Sequence, residues 1–154
     1  MKPMAHEHLT LDIVTMPRPV LSAPIRQVVA RSFEGELAIL AGHMPLMALL
    51  LPCVVQASLV AEQGQSEKIQ RVFISGGVLE VQPQHVTILA EEALFADEID
   101  IDQARVALAD AHQRMHENFL QEDRERARIE AMNAQAQIDL WDWAQAYQPS
   151  LMPT

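Results

Sequence analysis

Disulfide bonding within the chain is excluded at once, because its 154 residues hold a single cysteine, Cys53. A lone thiol inside an apolar run fits a reducing compartment and a packing role. Cationic charge is scarce too: 11 Lys and Arg stand against 21 Asp and Glu, a net charge of −10. That balance argues against a nucleic-acid backbone or an anionic membrane surface as partner and favours partners with basic or apolar surfaces. Long hydrophobic runs are missing as well. The longest, Met44 to Val55, contains Pro45 and Pro52 and is too short to span a bilayer. Met1 to His8 lack the apolar stretch of a secretory signal, so export is not expected. Any membrane association is expected through a protein partner, without direct membrane insertion.

The motifs of catalysis are equally absent. There is no Gly-x-Ser-x-Gly elbow and no phosphate-cradling loop. The six histidines form no ligand motif: His112 and His116 share a helical face, but no glutamate directly follows His112 as a zinc-protease motif requires. The chain is therefore not expected to be an enzyme, nor to hold a metal.

What remains is a globular composition, 49% hydrophobic and 21% charged, whose period changes near residue 95. Leu9, Leu11 and Ile13 alternate with polar residues, as do Cys53, Val55, Ala57 and Leu59, the pattern of strands with one buried face. The polar segment from Glu62 to Gln65 predicts a hairpin turn into Lys68 to Ile74. Val78 to Val81 and Val86 to Leu89 form another pair across Pro83-Gln84. Short strands joined by turns predict an antiparallel β-sandwich or barrel.

Beyond residue 95 there is no glycine, and apolar residues recur at helical spacing. Ala104, Leu108, Ala111, Met115 and Phe119 form one stripe, and Ala127, Ala131, Ala134, Ile138 and Trp141 form another. Asp100 or Asp102 is expected to cap the first helix. The alanines would let two helices approach closely as a hairpin, while Asn118 to Asp123, without Gly or Pro, equally permits one long helix. The expected organisation is a sandwich over 1–95 and a helical segment over 96–154.

Particular segments carry a resemblance. Residues 33–46 read Phe-Glu-Gly-Glu-Leu-Ala-Ile-Leu-Ala-Gly-His-Met-Pro-Leu, and residues 74–81 read Ile-Ser-Gly-Gly-Val-Leu-Glu-Val. With Leu11 to Val14 before them and Val86 to Ala90 after, they resemble in order and spacing the epsilon-subunit family of bacterial F-type ATP synthases. The resemblance implies mainly β plus α architecture, an N-terminal antiparallel β-sandwich followed by a C-terminal α-helical hairpin. It implies a non-catalytic central-stalk rotor subunit that couples proton flow through the membrane sector to ATP synthesis. The sandwich would bind the gamma subunit and the c-ring; the hairpin would fold against it or extend toward the alpha and beta subunits and inhibit ATP hydrolysis. The location implied is the cytoplasmic side of the bacterial plasma membrane. A free-standing acidic adaptor or chaperone without ATPase association is the alternative.

By the same resemblance, Glu36, Gly42 and His43 are the candidates for the c-ring and gamma interface. For Glu36 the residues alone offer a plainer account, a solvated turn carboxylate. Ile101-Asp102-Gln103-Ala104-Arg105 is similar to the element with which some members bind regulatory ATP, making Asp102 and Arg105 candidates. However, His112, Glu130 and Ala134 stand where basic residues would assist, so no cofactor is assigned and weak ATP binding at most is expected. Arg124, Arg126 and Arg128 open the second helix, against the helix dipole. Pairs of Glu122 with Arg126 and Arg126 with Glu130 would offset this, each by roughly 0.2 to 0.5 kcal/mol. The arginines are either a solvated face or, by the resemblance, contacts for the beta subunit.

Overall fold

A computed structural model of the chain describes residues 8–117 and 120–147. Nine strands precede two helices among these residues. They are β1 (Leu9–Thr15), β2 (Pro19–Ser32), β3 (Gly35–Leu40), β4 (Leu46–Leu50) and β5 (Cys53–Leu59), then β6 (Lys68–Ile74), β7 (Gly77–Gln82), β8 (His85–Ala90) and β9 (Ala93–Leu94). A 3-10 turn, Ala96–Glu98, leads into α1 (Ile101–Glu117) and α2 (Gln121–Tyr147).

Strict alternation does its expected work in β1, whose burial reads buried, half-buried in turn along all seven residues. β1 runs parallel to β8 and antiparallel to β2, while β7 joins β8 to β4. The 14-residue β2 then turns from β1 to β3 and β5, with an irregular register between Ile25 and Gln27. By changing partners in this way β2 ties the two layers of a sandwich together. Between them lies a core that includes Leu9, Leu11, Ile13, Ile25, Val55 and Ile88. Cys53 is buried within it, and burial pushes its thiol pKa up, as a packing role requires.

The helical segment is a hairpin. Ala104 and Ala111 of α1 face Ala127, Ala131 and Ala134 of α2, all of them buried, so the small side chains bring the two backbones close. Phe119 and Asn118 lie outside the described residues. Of the two capping candidates it is Asp100 that caps α1: its Oδ1 accepts the Gln103 N–H at 3.1 Å, and Asp102 sits exposed in the first turn. One sequence expectation needs correction: Glu122, Arg126 and Glu130 do not pair along α2. Glu130 instead bonds Arg114 across the hairpin, which also reaches Asp110 at 2.8 Å, and Glu125 bonds Arg128 at 2.9 Å. A partner on the facing helix and one a turn back outcompete the simple ladder.

α2 carries a second buried stripe that the sequence reading did not assign. Ala136 and Leu140 cover Phe73, which is fully buried although it faces outward from β6. Val54, Leu94, Ile99 and Trp143 pack around this contact. The hairpin is thus docked on the β5–β6 layer through α2.

Candidate functional site

Three surfaces carry the functional candidates. The first is the outer face of the other layer, β1, β8, β7 and β4. Register places Val14 beside Leu89, Leu89 beside Val78, and Val78 beside Leu49. Their neighbours in sequence, Ile13, Ile88, Leu79 and Leu50, point into the core, so this row must point out. Leu49 is 63% exposed and Leu89 55%, and Met47 and Phe33 add to the same region, with the Phe33 N–H bonded to the Leu49 carbonyl. A contiguous exposed apolar row on an acidic protein marks an interaction surface. The sequence carried a signal for it, since Leu49-Leu50-Leu51 and Ile88-Leu89-Ala90 do not alternate with polar residues.

The second surface is β3. Ser32 Oγ accepts from the Glu34 N–H at 3.1 Å and donates to the Gly35 carbonyl at 2.8 Å, fixing the turn that presents Glu36 to solvent. Gly35 has φ +132°, a conformation open to glycine. Gly42 and His43 lie beyond the far end of the strand. There the His43 N–H closes on the Leu40 carbonyl at 3.1 Å, and His43 Nδ1–H donates to the Met44 carbonyl at 2.8 Å. β3 therefore holds Glu36 apart from the Gly42-His43 turn, by about 13 Å of strand to Leu40 alone.

The third surface is the seam under the hairpin, flanked by two grooves of opposite sign. One, of about 580 Å³, is lined by Arg31 and Arg71 from the sandwich, by Arg128 and His112 from the hairpin, and by one carboxylate, Asp139. The other, of about 670 Å³, is lined by Glu91, Glu92, Glu98, Asp100, Asp110 and Glu130, with Arg114 as its arginine. Asp102 and Arg105 line neither groove. Arg105 lies over the Trp141 ring at 5.6 Å, and Asp102 flanks Val106 and Asp110 on the outer side of α1. Of the α2 arginines, Arg128 turns to the first groove and to Glu125, while Arg124 and Arg126 are exposed. Their spacing points Arg126 away from the other two, so the three do not form one face. Among the described residues no group of three His, Cys, Asp or Glu side chains is arranged to hold a metal, and no helix is long and apolar enough to cross a membrane.

Residues 8–96 match the family described as ATP synthase, delta/epsilon chain, β-sandwich domain. The chain is 37% identical over 132 residues to the ATP synthase epsilon chain of Bacillus licheniformis, covering 86% of this chain and 96% of that one. It is 43% identical over 89 residues to the epsilon chain of Acinetobacter baylyi, covering 58% and 60%. In fold it is similar to a chain of the Euglena gracilis mitochondrial ATP synthase, with a TM-score of 0.70, 23% identity, and coverage of 88% and 82%.

Proposed function

From the premise that this chain belongs to the ATP synthase epsilon-chain family, we infer that it is a non-catalytic central-stalk subunit of an F-type ATP synthase. The observation that carries this is the similarity to an epsilon chain along nearly the whole length, sandwich and hairpin together. The chain works by contact, as part of a rotor that transmits torque between a membrane sector and the catalytic subunits. It sits peripherally on the membrane-bound complex, on the cytoplasmic side of the bacterial plasma membrane.

Its surfaces divide the work. The exposed row around Leu49 and Leu89 suits the gamma subunit, because a permanent rotor contact gains most from apolar burial. Glu36 at one end of β3 suits the basic groups of the c-ring's polar loops, with the Gly42-His43 turn as a further contact. A Glu36→Lys variant should then lower ATP-driven proton pumping severalfold while hydrolysis stays within about twofold, because like charges brought together at an interface cost several kcal/mol. Equal loss of both activities, measured on reconstituted vesicles, would remove Glu36 from the coupling interface.

The hairpin is the regulatory part, extending toward the alpha and beta subunits to restrain hydrolysis, with the exposed Arg124 and Arg126 as contacts for the beta subunit. ATP is not assigned a site at Asp102 and Arg105. The main core draws only on residues from Leu9 to Phe95, so the sandwich holds its own structure. A chain ending at Asp100 keeps Glu98, which bonds Arg18 at 2.6 Å and the Phe95 N–H at 2.9 Å. That truncation should fold, stay with gamma and release the assembled enzyme from inhibition. Circular dichroism and hydrolysis assays check it; an unfolded product would show that the two parts are not separable.

A further inference from the structure

The docked hairpin meets like charges on the acidic flank of its seam. In the basic groove Arg128 of the hairpin is paired with Glu125 and shares the lining with Asp139, so Arg31 and Arg71 of the sandwich meet no net like charge there. In the acidic groove Glu91 and Glu92 of the sandwich share space with Asp110 and Glu130 of the hairpin, and Arg114 is already bonded to both of the latter. Charges of one sign gathered on the two sides of a seam favour parting it, and salt weakens that push.

Two contacts oppose it. Phe73 is covered by Ala136 and Leu140. Beside it the Arg71 guanidinium lies 4.2 Å from the centroid of the Trp143 ring, held there by a 3.0 Å bond from Nη2 to Gln56 Oε1. Tyr147 also stacks on Trp143, the ring centroids 6.1 Å apart. Partial burial lowers the Arg71 pKa.

We propose that the Arg71–Trp143 stack and the Phe73–Leu140 contact form a latch that holds the hairpin down against this repulsion, so that the docked state is strengthened by salt. It rests on the regulatory reading of the hairpin but concerns the free subunit. A partly buried cation over an indole ring shifts a two-state ratio by about five- to thirty-fold. The sense is unusual, because a seam held by ion pairs would loosen as salt rises.

The test uses the full chain with Trp141→Phe, which leaves Trp143 as the sole one of the two tryptophans. Acrylamide quenching and emission wavelength are followed from about 0.01 M to about 1 M NaCl, across which the Debye length falls from about 30 Å to about 3 Å. Quenching should fall as salt rises. Arg71→Met should increase the released-to-docked ratio by about five- to thirty-fold at low salt, with Arg71→Lys between it and the parent. Glu91→Gln with Glu92→Gln should dock at low salt and flatten the salt response, which general salting-out would not do. Sheet circular dichroism confirms that each variant keeps its sandwich. Quenching indifferent to salt, or an Arg71→Met variant matching the parent, overturns the latch. A chain that shows the latch yet fails to associate with an ATP synthase would overturn the rotor assignment and leave the latch standing.

Discussion

Gly77→Ala is expected to destroy the sandwich, at a cost on the order of 4 kcal/mol or more. Gly77 begins β7 at φ +143°, and a Cβ there would overlap the Leu89 carbonyl oxygen and lie 2.9 Å from its carbon. Both obstacles are backbone, so no side chain can rotate aside; β7 or β8 must shift as a whole. Gly64→Ala supplies the control. Its φ is also positive, +84°, but nothing lies within 4 Å of the added methyl, so only the conformational cost of about 1 to 2 kcal/mol applies. Urea titration of the two variants should give a soluble, modestly weakened Gly64→Ala and an unfolded or aggregated Gly77→Ala. Equal, small losses would mean that β7 and β8 are not pressed together as described.

The second large effect is on association. Leu49→Asp with Leu89→Asp places two carboxylates in the exposed row while leaving the core untouched. Folding should lose about 1 kcal/mol per site, the span of strand preference. If the row is the gamma surface, burying even one unpaired carboxylate costs several kcal/mol, and each 1.4 kcal/mol is tenfold in affinity. The double variant should therefore bind more than a hundredfold more weakly while its melting curve stays cooperative. Retained binding would move the gamma contact elsewhere.

How much of this was legible depended on whether one face or two were covered. β1, β5 and β7 stand out in the sequence because their alternation is regular. β2 did not, since Pro19, Pro24, Arg26 and Gln27 interrupt a strand that changes partners midway and needs no uniform face. Val72-Phe73-Ile74 are all buried, and such a run is the mark of a strand covered on both sides. Nothing local says that its cover is α2, because that contact is made some 65 residues away by Ala136 and Leu140. The hairpin itself could be read only as far as its alanine stripes, since one helix and two remained equally compatible with the junction. The candidate residues were visible as motifs, but their grouping was not: β3 separates Glu36 from His43, and helical spacing turns Arg126 from Arg128.

The central claim is that this chain is a rotor subunit, and affinity capture from native membranes tests it most directly. Tagged wild-type chain, captured from detergent-solubilised membranes and identified by mass spectrometry, should bring down gamma together with the alpha, beta and c subunits in fixed proportion. The Leu49→Asp, Leu89→Asp chain should bring down none of them. Recovery of the wild-type chain alone, as a stable monomer free of ATPase subunits, would contradict the assignment and favour a free-standing acidic adaptor.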